Sequence, residues 1–461
     1  MTGDTSTRWG MGDLAPAEKE TGSQPKRAVL VGVTFGQKRS ETEASLRELS
    51  ALAKALGLVP AATLLQDTDN ITQKTLIGSG KVKELLLLVE ECKADLVIFN
   101  DPLTPMQVRH LEDALDTEVL DRTGIILQIF SERARTREAR LQVASARLSY
   151  LLPRLAGMRK NLSRQGGGSG RLSNKGAGEE QLELDRRHIE RELSEIRRQL
   201  KDIDKERSTQ RAMRLRSGLP RVSLVGYTNA GKSTLMNVLL ARSQQAGRQE
   251  KQVFEQDMLF ATLDTQVRRI EIPGHTPFLL SDTVGFLSDL PHTLVQAFRS
   301  TLEEAKYADL LLAVEDCSDP SKERQEEVTR TTLQEIGAGD IPVLSVCNKA
   351  DLLEEAPLGR TVGDRVYLSA KSGEGLEALL CEIDTILAGQ RIPRRYLVPY
   401  SRGKLLADLS ARHPEAVPVY REEGAELFLT LPRREAEVLS LEEGVTTLPD
   451  EAEEPAEKEK G

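Results

Sequence analysis

Apolar residues recur with two different periods along the chain, and the change of period divides it into regions. From Arg27 onward, short apolar runs alternate with amphipathic segments in which apolar residues return every three or four positions. These patterns predict strands at 27–33, 58–65 and 95–99 and helices at 41–56, 81–91 and 104–115. Alternating strands and helices predict a small α/β domain whose sheet is mainly parallel.

A helical pattern replaces this alternation near Ile125. A first run has leucines at 141, 148, 151, 152 and 155, and a second has Ile189, Leu193, Ile196, Leu200 and Ile203, spaced by four and three residues in turn. Such spacing is typical of a heptad seam. We therefore predict an antiparallel helical hairpin whose connecting loop, 161–178, has no apolar periodicity.

The charge distribution distinguishes the hairpin from the rest of the chain. The net charge is −9, yet 131–220 carries 22 Lys/Arg against 12 Asp/Glu, and 133–175 carries eleven against one. A local basic block in an acidic protein indicates a site for a polyanion. The connecting loop is either a solvated linker or a basic finger that contacts RNA through Arg164, Arg171 and Lys175. The one-sided charge favours RNA.

Other residue classes narrow the setting. The four cysteines lie far apart, which favours reduced thiols, and the five histidines form no metal-ligand pattern. No apolar run approaches the ~20 residues that span a bilayer, and no apolar signal region precedes Arg27. We expect a cytoplasmic monomer with no membrane span.

The strongest local motif lies in the middle of the chain. A short apolar strand, 222–225, precedes G-x-x-x-x-G-K-[ST], and a helical pattern follows. Glycine-rich loops in this context cradle phosphates with backbone N–H groups, while the lysine reaches the β- and γ-phosphates. The alternative is a chance glycine-rich turn. The predicted phosphate-binding residues are Gly226, Tyr227, Thr228, Asn229, Ala230, Gly231, Lys232, Ser233 and Thr234. The segment GSGK at 78–81 lacks this spacing and is interpreted as a turn before a helix.

A second group of residues completes the predicted phosphate chemistry. The apolar strand in 278–286 ends at Asp282, whose carboxylate can hold Mg²⁺ through water, and Ser233 would bind the ion directly. Gly285 leaves room for its N–H to contact the γ-phosphate. In FATLDT (260–265), Thr262 is our choice to complete Mg²⁺ coordination, and Thr265 is the alternative.

Residues at two further strand ends predict which nucleotide base the site binds. Asn348-Lys349-Ala350-Asp351 matches N-K-x-D, and the Asp351 carboxylate can accept from both N1–H and the 2-amino group of guanine. Adenine lacks this donor pair, so an ATPase is disfavoured. Ser369, Ala370 and Lys371 end a strand predicted within 366–373, where the Ala370 N–H can meet guanine O6. The predicted reaction is hydrolysis of GTP, with Mg²⁺ as cofactor.

Phe286 bears on the mechanism. It directly follows D-x-x-G, where Ras-like enzymes carry the glutamine that orients the attacking water. Phenylalanine cannot orient water by hydrogen bonding. One interpretation is simple packing, and the other is slow intrinsic hydrolysis that waits for a partner. We list Lys232, Thr262, Gly285 and Phe286 as the catalytic candidates.

Together these patterns predict a fold class of α/β. A Ras-like P-loop G domain is preceded by a small α/β domain and a long antiparallel helical hairpin, and followed by a small α+β C-terminal domain. The predicted boundaries are a disordered leader at 1–25, an N-terminal α/β subdomain at 26–130, the hairpin at 131–217, the G domain at 218–390, the C-terminal domain at 391–441 and an acidic disordered tail at 442–461.

The sequence resembles the HflX family of GTPases. The most specific segments are LDRTGIILQIFSERARTREARLQ (120–142), SYLLPRL (149–155), GEEQLELDRR (178–187), FATLDT and DTVGF (282–286). The resemblance implies binding to the large ribosomal subunit near the peptidyl-transferase centre, ribosome-stimulated GTP hydrolysis and separation of stalled ribosomes. The glycine-rich loop from Gly166 to Glu179 is longer than the family's usual loop. A GTP-dependent switch that binds a protein or another RNA remains the alternative function.

Overall fold

The computed structural model describes 25–36, 38–162, 173–215, 218–244, 266–287, 304–413, 416–442 and 444–448. These residues form three β-sheets and a two-helix hairpin. The architecture confirms the predicted α/β class, with a G domain between a smaller α/β domain and an α+β domain. Of the predicted leader, 1–24 lies outside the described residues.

The first sheet is parallel throughout, in the order β2-β1-β3-β4. Its elements are β1 Arg27–Thr34, α1 Arg39–Ala55, β2 Val59–Asp67, α2 Ser79–Cys92, β3 Leu96–Phe99, α3 Pro105–Leu115 and β4 Glu118–Asp121. Successive β1 side chains enter different cores: Ala28 and Leu30 pack in one cluster, and Val29 and Val31 in another. Apolar side chains on both faces of a strand are what a parallel sheet covered by helices requires. The segment 78–81, predicted as a turn before a helix, instead supplies the N-cap Gly78 and the first turn of α2, so the helix begins two residues earlier than predicted.

Strand β4 was not predicted, because its four residues directly precede a helix. Helix α4, Arg122–Arg133, starts where β4 ends. The Asp121 side chain accepts the Gly124 N–H at 2.8 Å and caps this helix, which satisfies a backbone donor that the helix leaves unpaired. Helix α4 thus begins before Ile125, the residue at which the helical pattern becomes visible in the sequence.

The hairpin consists of α5, Arg137–Leu162, and α6, Ser173–Leu215. Ile189, Leu193 and Ile196 of the predicted seam are buried. On α5, Ala139, Val143 and Ala146 are buried, whereas the predicted leucines 141, 148, 151 and 152 are half-buried. The predicted loop bounds, 161–178, are wrong at both ends, because α5 continues to Leu162 and α6 begins at Ser173. Once nucleated, a helix gains one hydrogen bond for each residue it adds.

The second sheet has seven strands in the order β10-β11-β9-β8-β5-β7-β6. Its elements are β5 Arg221–Val225, α7 Lys232–Gln244, β6 Gln266–Ile270, β7 Phe278–Asp282, β8 Leu310–Asp316, α8 Lys322–Glu335, β9 Val343–Asn348, β10 Thr361–Val362, β11 Arg365–Tyr367 and α9 Leu376–Gly389. Only the edge strands β6 and β10 are antiparallel to their neighbours. The carboxyl ends of the central strands therefore meet at one edge of the sheet, which is where open α/β sheets bind ligands.

The third sheet is antiparallel, in the order β13-β14-β12-β15. Its elements are β12 Arg391–Pro399, α10 Gly403–Arg412, β13 Val419–Tyr420, β14 Gly424–Pro432, α11 Arg433–Leu441 and β15 Thr446–Leu448. The predicted boundary between this domain and a disordered tail at 442 is wrong, because Thr446–Leu448 pairs with β12 and Val445 is buried. The residues from 449 lie outside the described part of the chain.

The search for membrane spans was made on the described residues. None of the helices there is long and apolar enough to cross a bilayer.

Candidate functional site

The phosphate loop lies between β5 and α7, at the carboxyl edge of the seven-stranded sheet. Its path depends on two glycines with positive φ. A Cβ on Gly226 (φ 132°) would lie 2.2 Å from the Val314 carbonyl oxygen, and one on Gly231 (φ 94°) would lie 2.1 Å from the Asn348 amide nitrogen. No larger residue fits at either position. Asn229 also has a positive φ, 62°, a conformation that asparagine tolerates better than most residues.

Lys232 starts α7 and points back into the loop. Its Nζ donates to the carbonyl oxygens of Gly226 at 2.9 Å and Tyr227 at 2.6 Å. The residue is 6% exposed, and burial lowers its pKa to about 8, although nearby Asp282 acts in the opposite direction. A negatively charged phosphate bound beside Lys232 would raise this pKa and favour the protonated amine.

Two of the three predicted Mg²⁺ ligands are adjacent. Strand β5 pairs with β7 in a register that sets Leu224 beside Asp282, and the Ser233 hydroxyl donates to Asp282 Oδ2 at 2.7 Å. Hydroxyl and carboxylate oxygens are donors that Mg²⁺ prefers, so these residues fit the ion. Thr262 and the alternative Thr265 lie outside the described residues. Within the described chain, no three His, Cys, Asp or Glu side chains form another metal cluster.

The D-x-x-G segment is bonded to the phosphate loop through its backbone. The Phe286 N–H donates to the Gly226 carbonyl at 3.1 Å, and the Thr228 N–H donates to the Phe286 carbonyl at 2.9 Å. A Cβ on Gly285 would lie 2.9 Å from Thr228 Cα and 3.0 Å from Lys232 Nζ, so only glycine fits there. The Phe286 side chain is 1% exposed and packs in an apolar cluster with Tyr227.

The loop predicted to bind the guanine base is joined to the phosphate loop by the side-chain amide of Asn348. Asn348 Nδ2 donates to the Ala230 carbonyl at 2.8 Å, and Asn348 Oδ1 accepts the Ala370 N–H at 2.9 Å. The N–H that we expected at guanine O6 is therefore bonded to Asn348 in this structure. Asp351 is exposed on a 3-10 turn, Ala350–Leu352, and thus accessible to a base.

The last predicted residues of the base end surround this turn. Lys349 has a positive φ of 59°, and its Nζ pairs with Asp316 Oδ2 at 2.6 Å. Ser369 is fully buried and Lys371 is exposed. Both lie in the loop after β11, which ends at Tyr367 and not at 369–371 as predicted. The structure thus brings the phosphate and base motifs to one edge of the sheet.

Two features of the site were not predicted. Asp316 ends β8 at the same edge as Asn348, its partner in register, so its place at a strand end was a usable signal. The second feature is a hydrogen bond from the Tyr227 hydroxyl to Glu48 of α1. No local pattern indicates that contact, because the two residues are 179 positions apart.

Of the three predicted RNA contacts, the structure describes the backbone of one. Lys175 falls in the first turn of α6, and Arg164 and Arg171 lie outside the described residues. The predicted RNA contact therefore stays a prediction.

The strand–loop–helix with Lys232, the paired Ser233 and Asp282, and the Asn348 motif at the neighbouring strand end define a P-loop GTPase of the Ras-like class. Comparisons with known proteins extend this assignment. Models described as "GTP-binding GTPase N-terminal", "GTP-binding GTPase Middle Region" and "50S ribosome-binding GTPase" match residues 43–131, 133–214 and 221–349.

Full-length relatives cover most of the chain. It is 44% identical over 382 residues to the GTPase HflX of Alkalihalophilus pseudofirmus, a match that covers 83% of this chain and 88% of the relative. It is 39% identical over 385 residues to the GTPase HflX of Escherichia coli K12, a match that covers 82% of this chain and 87% of the relative. The chain belongs to the HflX family of GTPases, which confirms the resemblance.

Proposed function

We propose that this GTPase binds the large ribosomal subunit and couples GTP binding and hydrolysis to the splitting or rescue of stalled ribosomes. The observation that carries the proposal is the charge of the hairpin, eleven Lys/Arg against one acid across 133–175 in a chain of net charge −9. Ribosomal RNA is a polyanion that such a surface attracts. The description of the matched family model, a GTPase that binds the 50S subunit, supports the same partner.

Each nucleotide contact has a proposed residue. The backbone of 226–234 and the Lys232 ammonium bind the phosphates, and Gly285 presents its N–H to the γ-phosphate. Ser233 would hold Mg²⁺, with Asp282 acting through a water molecule and Thr262 as the third residue, and the ion would neutralise charge on the phosphate oxygens. Asp351 accepts from guanine N1–H and the 2-amino group, with Asn348, Lys349, Ser369, Ala370 and Lys371 shaping the base pocket.

The burial of Phe286 supports a partner-dependent reaction. Its side chain packs in the apolar cluster beside the phosphate loop and has no group that can hold the attacking water. The chain alone therefore hydrolyses GTP slowly. Contact with the ribosome supplies the missing positioning, either from RNA or by moving a backbone group of this chain toward the water.

The test is the GTP hydrolysis rate with and without purified large subunits at 50 and 200 mM salt. We expect strong stimulation that the higher salt removes, because contacts to phosphates weaken steeply with log salt. No stimulation at either salt concentration would contradict the proposal that the large subunit is the partner. The partner would then be sought among proteins or other RNAs. With intact ribosomes, a fall in light scattering on adding the protein and GTP is expected if it separates subunits.

A charge-matched pair of variants locates the RNA contact. Replacing Arg164, Arg171 and Lys175 with Ala should lower the log–log salt slope of subunit binding by about 3, while GTP affinity stays the same. The control replaces Arg186, Arg187 and Arg198, exposed arginines of the same hairpin that pair with glutamates. Equal losses in both variants would contradict a contact at the loop.

A further inference from the structure

The phosphate loop is connected to the N-terminal α/β domain by a continuous chain of polar contacts. The Tyr227 hydroxyl donates to Glu48 Oε1, and Glu48 Oε2 pairs with Arg122 Nη2 at 2.5 Å. Arg122 Nη1 then donates to Asn100 Oδ1 at 3.0 Å and to Ser45 Oγ at 3.2 Å. The Glu48 carboxylate, which contacts the phosphate loop, is therefore held by Arg122 at the start of α4. Arg122 is in turn held by Ser45 of α1 and by Asn100 after β3.

This chain lies in a low-dielectric environment. The Arg122 side chain is 4% exposed and that of Glu48 is 16% exposed. Around them, residues of α1 and α4 share one apolar cluster with Val225, Tyr227 and Phe286. A hydrogen bond to a carboxylate in such surroundings is strong and fixes the geometry of its donor.

Tyr227 transmits this anchoring to the nucleotide residues. Its carbonyl accepts Lys232 Nζ at 2.6 Å, and its backbone bridges to Phe286. The side chain of Tyr227 is therefore held by the N-terminal domain, while its backbone holds the phosphate-binding lysine and the segment after D-x-x-G.

We propose that Glu48 is a positioning residue for nucleotide binding, holding Tyr227 so that the phosphate loop is preorganised only while the N-terminal domain is docked on it. The inference rests on the phosphate-binding role given to the loop under Proposed function. Preorganisation raises affinity by removing the ordering cost from the binding step. Movement of the N-terminal domain on a partner would then change how tightly the G domain holds GTP or GDP.

The experiment compares GDP and GTP affinities of the full chain, measured with a fluorescent guanine nucleotide. Tyr227→Phe removes only the hydroxyl and leaves the Glu48–Arg122 pair intact, so it tests the link without an unpaired buried charge. We expect about tenfold weaker binding, the size of one charge-assisted hydrogen bond. Glu48→Gln should weaken binding similarly, and the double variant should be no weaker than the more affected single variant.

Two controls separate positioning from general stability. Tyr150→Phe removes the hydroxyl of a half-buried tyrosine from a carboxylate, Asp121, which makes none of the contacts that link Tyr227 to Glu48 and Arg122. Glu43→Gln changes an exposed acid on the same helix as Glu48. Both should bind nucleotide as the wild type does.

The possible outcomes are distinct. Unchanged affinity in Tyr227→Phe, or single effects that add in the double variant, overturns the inference. If Glu48→Gln does not fold, the Tyr227→Phe result decides. A wild-type chain that binds no guanine nucleotide would overturn the proposed function as well, whereas normal wild-type binding with unaffected variants overturns this inference alone.

Discussion

Two aspartates end parallel strands in two different sheets, and their surroundings differ. Asp121 ends β4 of the N-terminal sheet and Asp282 ends β7 of the seven-stranded sheet, and each is almost completely buried. Asp121 accepts hydrogen bonds from the backbone N–H groups of Leu103 and Gly124. It also accepts from the Tyr150 hydroxyl and Arg154 Nη2, both at 2.8 Å.

Asp282, in contrast, accepts the Ser233 hydroxyl, a group that would itself bind Mg²⁺. The same residue type at the same place in a parallel sheet thus connects two helices in one domain and belongs to the proposed Mg²⁺ site in the other. The difference lies in the donors. Arg154 and the backbone groups remain in place, whereas the Ser233 contact can be exchanged for an ion. Position at a strand end therefore identifies candidates, and the partners decide the role.

Replacing Asp121 with Asn should have the largest effect. It leaves Arg154, which is 17% exposed, without its counter-charge, and losing one partner of a buried pair costs about 3 kcal/mol. Amide hydrogen exchange in β3 and β4 would measure this loss of local stability. Asp113→Asn, in an exposed pair with Arg109, is the control and should change little. Unchanged amide hydrogen exchange in Asp121→Asn would show that the Asp121 contacts do not stabilise this region.

Replacing Asp282 with Asn should act on the reaction instead. We expect GTP hydrolysis saturated with large subunits to fall about 100-fold at a given Mg²⁺ concentration, as when one preorganised electrostatic contact is removed. Stability should change less than in Asp121→Asn, because the desolvation cost of the buried carboxylate is removed together with its attraction to Lys232. The control is Asp309→Asn, which breaks the Arg221 pair at the opposite edge of the same sheet and should keep hydrolysis. Mg²⁺-dependent hydrolysis retained in Asp282→Asn would contradict the metal role.

A third carboxylate, Asp384, has a titratable partner, His275, and removing that partner should give the smallest effect. Burial lowers the pKa of His275, but hydrogen bonds to Asp384 and Glu377 outweigh it and raise the pKa above its usual value. This stabilisation is complete below the unfolded pKa of about 6.5 and disappears as pH rises through the higher folded value. Between pH 6 and 8.5 the free energy of unfolding, measured by urea denaturation, should fall more for the wild type than for His275→Asn, by about 0.5 kcal/mol. Equal falls would contradict the ion pairs.

Much of the fold was predictable because its signals are local. The glycine loop, D-x-x-G and N-K-x-D each follow an apolar strand, and parallel order then brings them to one edge of the sheet. The short elements β4, β13 and β15 were missed because two to four residues do not establish a period. The tail boundary was misplaced because acids dominate the composition from Glu442 on, although Val445 is buried and Leu448 is part of β15.

The connections within the site were less predictable. That Asp282 and Ser233 would be neighbours follows from the motifs, but the roles of Glu48, Asp121 and Arg122 depend on contacts between segments that are distant in sequence. Side-chain periodicity reports which face of an element is buried and does not report what that face meets. Among these contacts, Asp121 meets Arg154 of α5 and Glu48 meets Tyr227 of the phosphate loop, so they connect separate regions of the chain.

The Asn348 amide has one further consequence, for the dimensions of the nucleotide pocket. A planar amide has its donor and acceptor a fixed distance apart, and here they are bonded to Ala230 of the phosphate loop and Ala370 of the base loop. The gap between the two loops is therefore set by a rigid group of the protein and not by the length of the bound molecule. We therefore expect the pocket to favour ligands whose spacer between base and phosphates matches this separation, because a longer or shorter spacer would have to break one of these bonds.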